Sequence, residues 1–345
     1  MTDFLTGLWP LGWSLAVFAV ATSVTVVCSV RLAAYGDVLA DRTGWGEALF
    51  GAVLFGLVTS LSGIVMTAVS AGLDQPRLAY GNAVGGIAAQ TVAIAVADAF
   101  LRGVNLEHAA ASVKNMLFGC LLIGLLGIAV MASLGPDVTL GGVHPASLVM
   151  VAFYLGGLRL IRRQEQPLWR AVPTRDTVPD VPGEDAPEAR VRTSGLWWRF
   201  TLTAGLVVVG GWAVARAAAG ILEHTDLSAG FVGAVLMGLV NALPETVTSV
   251  AAVRRGAVTL AIAAVVGGNC LDALNLVVGD VFYRGGSLFH EAARQELFLT
   301  SSAIVMTAVL LGGLLLRQKT GWLRVGFDGI LLVVLYVGTV AVLAF

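Results

Sequence analysis

The segment GAVLFGLVTSL at residues 51–61 returns as GAVLMGLVNAL at residues 233–243, identical at eight of eleven positions with an offset of 182. A match of that length does not arise from biased composition. Carried forward without a gap, the offset sets AVGGIAAQ (83–90) against VVGGNCLD (265–272), so each copy covers two consecutive apolar stretches. The rest of the chain is of the same kind. It is 57% apolar and 12% charged, about half the charged content of a soluble protein. Ten apolar stretches run along it, at 11–34, 46–71, 77–99, 113–133, 144–161, 198–220, 228–253, 258–280, 297–317 and 321–345. Each approaches the about 20 residues needed to cross a hydrocarbon core. The expectation is an all-α polytopic membrane protein of ten transmembrane helices.

Five spans separate the two copies, so the second must run through the membrane in the opposite sense. That predicts two inverted five-helix repeats, residues 1–161 and 198–345. Between them, residues 162–197 include VPTRDTVPDVPGEDAPEAR, with four prolines and no apolar periodicity, and read as a polar linker. Inverted repeats are a transporter architecture, with the substrate site near the midplane where the halves meet. Of 21 Lys and Arg, 17 fall on the side of the loops that follow spans 1, 3, 5, 7 and 9. Because cytoplasmic loops collect positive charge, both termini are expected outside and the linker inside. No Lys or Arg precedes Arg31, so the first stretch lacks the basic start of a cleaved signal peptide and reads as a retained span. Nineteen Arg against two Lys points to a GC-rich bacterial genome and so to the cytoplasmic membrane.

Chemistry concentrates in the second copy. Asn241, Pro244 and Glu245 stand within NALPETVTS, and a carboxylate inside a span costs several kcal/mol unless it finds partners or water. Pro244 removes a backbone donor and crowds the carbonyl of Val240, so the helix is expected to kink or unwind there. Freed carbonyls beside a Glu suit a hard cation. Asn241 and Thr248 lie at i−4 and i+3 from Glu245, on one helical face. On the next span Asn269, Asp272 and Asn275 repeat the pattern at three-residue spacing, after the pair Gly267-Gly268, where small residues allow close approach or a local break. The blander reading, polar groups that only tie helices together, fits Asn275 or Thr248 alone better than Glu245 and Asp272 jointly.

LPETVTS and VVGGNCLD at this spacing, with an inverted counterpart upstream, resemble the two alpha-repeats of the calcium/cation antiporter superfamily, the sodium/calcium exchanger membrane-region family. The resemblance covers nearly the whole chain. It implies secondary active antiport, with Ca²⁺ exchanged for Na⁺ or H⁺ at a midplane carboxylate site. It also implies that Glu245 and Asp272 are ion ligands, and that Asn241, Thr59 and Ser60 supply hydroxyl or carbonyl oxygens. The first repeat (51–90) departs from the pattern. Ser62-Gly63 stands where a Pro-Glu pair is expected, and Gln90 replaces an Asn. One carboxylate is missing, and the remaining two balance one Ca²⁺, two Na⁺ or two protons. A monovalent cation/proton exchanger and a transport-inactive regulatory homologue therefore stand as alternatives.

Other features carry less. Asp98 and Asp280 also share the 182 offset but fall near span ends, where anchoring at the membrane interface is expected. His108, His144, His224 and His290 fall in loops or at span ends, where histidines are expected to be solvated. Cys28, Cys120 and Cys270 lie in apolar runs and read as buried small residues rather than a disulfide or metal framework. Ser60-Leu61-Ser62-Gly63 and Val278-Gly279-Asp280 distantly resemble intramembrane protease motifs, yet the serine lacks a mid-span His as base and Asp280 lacks a matching Asp. No enzyme and no resident cofactor are expected. A net charge of −1 argues against a nucleic-acid partner. The expected partners are the lipid bilayer and inorganic cations as substrates, with no obligate protein partner evident.

Overall fold

The computed structural model describes residues 9–43, 59–101, 105–163, 192–254, 258–318 and 326–345. Residues 51–58 of the first repeat copy and 164–191 of the expected linker lie outside the described residues, and a helix already begins at Thr193 within the linker's expected bounds. Twelve helices carry the described chain: α1 Leu11–Thr43, α2 Leu61–Gly72, α3 Pro76–Phe100, α4 Leu106–Ala110, α5 Val113–Leu134, α6 Pro145–Arg162, α7 Thr193–Glu223, α8 Ala229–Arg254, α9 Val258–Ala273, α10 Asn275–Phe282, α11 Arg294–Leu316 and α12 Phe327–Leu343. Eight stretches are long and apolar enough to cross a membrane, α9 and α10 counting as one, and α2 and α12 are shorter apolar helices. Large apolar side chains on the outside, among them Met131, Leu134, Leu160, Trp198 and Leu316, are more than two-thirds exposed, as surfaces meeting lipid tails are.

The ends are set by local chemistry. Pro76 and Pro145 begin α3 and α6, where the missing N–H costs nothing. Ser112 caps α5 by accepting from Asn115 N at 3.2 Å, and Ser228 caps α8 by accepting from Phe231 N at 3.1 Å. Inside α8, Val232–Met237 is π-helical, and the α-helix then runs unbroken through Pro244. The expected unwinding at Pro244 is thus corrected. The irregular segment lies about two to three turns earlier, where a π-bulge absorbs an extra residue. The interruption in the neighbouring span also differs from expectation: it falls at Leu274, between α9 and α10, beyond Gly267-Gly268.

α3 and α8 form the centre, and their backbones nearly touch. A Cβ on Gly81 would sit 3.1 Å from Ala234 N, one on Gly238 2.7 Å from the Gly85 carbonyl carbon, and one on Gly85 would collide with Ala234. Gly81, Gly85 and Gly238 are therefore contact points, as small residues are between membrane helices, whereas Gly267 meets nothing within 4 Å. Around this pair, the packing repeats under exchange of the two halves. α2 packs on α7 as α8 does on α1, α3 on α12 as α10 does on α6, and α5 on α6 as α11 does on α12. A buried cluster that includes Tyr80, Leu122, Leu125, Phe289 and Met306 fills the space between α3, α5 and α11.

Asp98 and Asp280 show the same correspondence in single atoms. Asp98 accepts from Leu106 N at 2.6 Å and Gly326 N at 3.0 Å, and Asp280 accepts from Leu288 N at 3.0 Å and His144 N at 2.7 Å. Residues 106 and 288, and 144 and 326, are again 182 apart. His144 and Gly326 are the N-cap residues of α6 and α12. Both carboxylates are fully buried, which corrects the expectation of interfacial anchors: each latches the end of one span to the start of another. Of the histidines, His224 is exposed as expected, whereas His108 and His290 are half-buried and His144 is buried. His108 and His224 bond the backbone carbonyls of Arg317 and Gly220, and His290 bonds that of Gly135. His144 is buried, caps Ala146 N and lies 5.3 Å from the His290 ring. Cys28 and Cys270 are buried as expected, whereas Cys120 is exposed.

Candidate functional site

Where α3, α8 and α9 meet, polar side chains gather in a region closed to water. Asn241, Gln90 and Asp272 are fully buried, and Asn269, Asn275, Ser60 and Glu245 nearly so. Asp272 is the hub. Its Oδ2 accepts from Gln90 Nε2 at 2.6 Å and Asn241 Nδ2 at 3.2 Å, and its Oδ1 accepts from Asn275 Nδ2 at 3.2 Å. Gln90 and Asp272 are 182 apart, so residues that correspond between the halves touch each other at the centre. The Asn275 bond spans the interruption at Leu274 and holds α10 to α9.

An ionised carboxylate only accepts hydrogen bonds, so the amides around Asp272 turn their N–H groups to it. Their oxygens are thereby released. Gln90 Oε1, Asn241 Oδ1 and both Glu245 oxygens are buried without a hydrogen-bond donor. Asn269 gives its Nδ2 to Thr91 Oγ1 at 3.0 Å, and its Oδ1 is likewise unbonded. Ser60 places its hydroxyl beside Asp272, short of a completed bond. Asp272 and Glu245 are close enough for their charges to act on each other. Buried polar atoms without partners are few in most proteins, and each calls for an explanation. Here several oxygens share one place.

Asn241 occupies the room created by Gly63. A Cβ on Gly63 would lie 2.8 Å from Asn241 Cγ and 2.9 Å from its Nδ2, and one on Gly86 would crowd Nδ2 at 2.5 Å. An amide from the second copy thus fills the space beside Gly63. Of the remaining candidates, Thr59 is buried just before α2. Thr248 is half-buried and donates to the backbone carbonyl of Glu245 at 3.0 Å, so its hydroxyl is committed within its own helix. Ser249 is the buried neighbour on α8, with an unbonded hydroxyl. Sequence reasoning also passed over Asn82. It donates to Gly63 O at 3.2 Å and Thr67 Oγ1 at 2.9 Å, and its Oδ1 has no donor. The signal was present, since Asn82, Gly86 and Gln90 line one face of α3 at four-residue spacing.

The fold and the site define a helical membrane protein built around a buried, oxygen-lined, acidic centre. The chain belongs to the sodium/calcium exchanger protein family, whose model matches residues 13–161 and 195–345. That is a family of secondary transporters, not enzymes, and the chain is a multi-pass membrane protein. Among solved structures, the H⁺/Ca²⁺ exchanger CAX is similar with a TM-score of 0.70 at 14% identity, over 99% of this chain and 87% of that one. Native YfkE is similar with a TM-score of 0.67 at 14% identity, over 97% and 93%. The sodium-calcium exchanger NCX_Mj is similar with a TM-score of 0.57 at 16% identity, over 96% and 98%. These likenesses are of fold. No curated protein matches the chain at the sequence level.

Proposed function

We propose that the chain is a secondary active cation antiporter that exchanges Ca²⁺ for Na⁺ or H⁺ by alternating access. Membership of an exchanger family supports the reaction class. The observation that carries it to this chain is the group of donor-free buried oxygens around Asp272 and Glu245. A dehydrated hard cation needs six or more oxygens, and oxygens left without donors in the interior are costly until a cation joins them. In this reading Glu245 and Asp272 supply the charge, Asn241, Gln90 and Asn269 supply amide oxygens, and Ser60, Thr59 and Thr248 supply hydroxyl or backbone oxygens.

Ten spans in two inverted halves, 1–161 and 198–345, with 162–197 as a cytoplasmic linker and both termini outside, complete the proposal. The paired packing of the halves supports it. A second reading, monovalent cation/proton exchange, is favoured by Gly63. With an amide in place of a third carboxylate, the centre holds two negative charges at most. Counterflow of radioactive calcium in proteoliposomes separates the two. Calcium uptake driven by a Na⁺ or pH gradient supports calcium exchange. Sodium or proton flux without calcium flux selects the second reading, and no flux of any ion selects a transport-inactive homologue.

A further inference from the structure

The two latches at Asp98 and Asp280 are alike in backbone contacts and unlike in side chains. Asp280 receives a third donor, Ser147 Oγ at 2.7 Å. The residue corresponding to Ser147 is Gly329, so Asp98 has no such hydroxyl. Two more acids stand there instead: Glu107 from α4 and Asp328 from α12, each 1% exposed. Both Glu107 oxygens and Asp328 Oδ2 lack a donor. The two side chains converge on Gly326, where a Cβ would lie 2.9 Å from Glu107 Oε2 and closer still to Asp328 Oδ1. The two carboxylates thus crowd one spot beside Gly326, close enough for the charge of one to act on the other. Ala97, Leu101, Leu106, Ala110, Ile262 and Leu314 keep water from this corner.

Two carboxylates crowded together in a dry pocket cannot both remain ionised, because neither can donate. One proton turns two repelling acceptors into a donor and an acceptor. We propose that Glu107 and Asp328 share a bound proton, and that this proton site fastens α12 to α4 and α3 beside the Asp98 latch. It is separate from the cation centre and does not depend on which ion is carried there.

The surroundings agree. From α3 the ionisable group facing Glu107 is Asp98, and from α12 it is Asp328. The part of α9 that packs on α4 presents apolar residues such as Ile262. Other ionisable groups at this end, among the described residues, include His108, whose ring bonds the Arg317 carbonyl at 2.9 Å, Arg317 itself, Arg254, whose guanidinium lies 4.5 Å over the Phe100 ring, and Lys114, which is exposed. Burial, with the charges of Asp98 and Asp328 adding to it, pushes the Glu107 carboxyl up to about 9. An acid whose folded value is raised adds stability that is full below its unfolded value of 4.5 and lost as pH rises through about 9. The proton then leaves to water, and the start of α12 faces carboxylates that repel it.

Infrared spectra and thermal unfolding of the purified full chain, from neutral pH to above pH 9, test this. The parent should show a buried protonated carboxyl that disappears on alkaline titration, together with a melting temperature that falls by several degrees. Glu107→Gln supplies the hydrogen from a group that does not titrate. It should remove that carboxyl signal and cut the alkaline fall at least by half. Asp328→Asn gives the same readout if the first variant does not fold. A parent with no protonated carboxyl at neutral pH, or variants that keep both the signal and the full alkaline fall, overturns the proposal. Neither measurement involves transport, so its failure is distinct from failure of the antiporter reading.

Discussion

At the residue scale, the centre works by committing amide N–H groups to one carboxylate so that the amide oxygens are left over. Asp272 organises Gln90, Asn241 and Asn275, and Glu245 remains unbonded beside them. Gly63 belongs to the same arrangement. Its missing side chain is what lets Asn241 lie against α2. Gly63→Ala should therefore lower stability by about 1–3 kcal/mol through overpacking, and Asn241→Ala in the same chain should recover part of that loss. A double-mutant cycle on melting temperature measures the coupling; strictly additive effects would mean that the two side chains do not compete for one space. Glu245, Asp272 and Asn241 were legible in the sequence because charges and amides inside an apolar span stand out. Asn82 was harder to see, because its role depends on which atoms of α2 lie beside it, and a single polar residue in a helix reads equally well as an interhelical tie.

At the scale of elements, the latches explain how short spans such as α12 are seated. Asp280 satisfies two buried backbone donors, Leu288 N in a turn and His144 N at the start of α6. Asp280→Ala should leave both unbonded at about 1–3 kcal/mol apiece. The expected outcome is a melting temperature several degrees below that of the parent, with Ser147→Ala less damaging because it removes one partner only. Equal stability of Asp280→Ala and the parent would show that these contacts hold nothing. Sequence reasoning saw that Asp98 and Asp280 correspond, but assigned them to the interface. The backbone N–H groups they accept from, one eight residues on and one in the other half of the chain, carry no side-chain signature. The π-helical turn at Val232–Met237 and the interruption at Leu274 were missed for a related reason. Pro244 marked where a helix would be weakened, while the π-helical segment lies where Gly233 and Ala234 pack against Gly81 and Gly85.

For the whole molecule, several helix contacts in one part of the chain recur between the helices 182 residues on. The orientation rests on the distribution of Lys and Arg alone. A cysteine introduced at position 180, in the proposed cytoplasmic linker, should be protected from a membrane-impermeant thiol reagent in intact cells and labelled after permeabilisation, against a parent control because Cys120 is exposed. Labelling of the added cysteine in intact cells would reverse the topology.

The central claim is that the oxygens around Asp272 and Glu245 bind a cation through two negative charges. Calcium binding by calorimetry to the purified parent and to Glu245→Gln tests it most directly, because the amide preserves shape and one oxygen while removing charge. Breaking a buried charge pairing costs about 3–5 kcal/mol, or roughly two to four powers of ten in affinity. The account predicts saturable binding by the parent and a loss of that size in the variant, with the variant still folded; equal calcium affinity in the two proteins would contradict it.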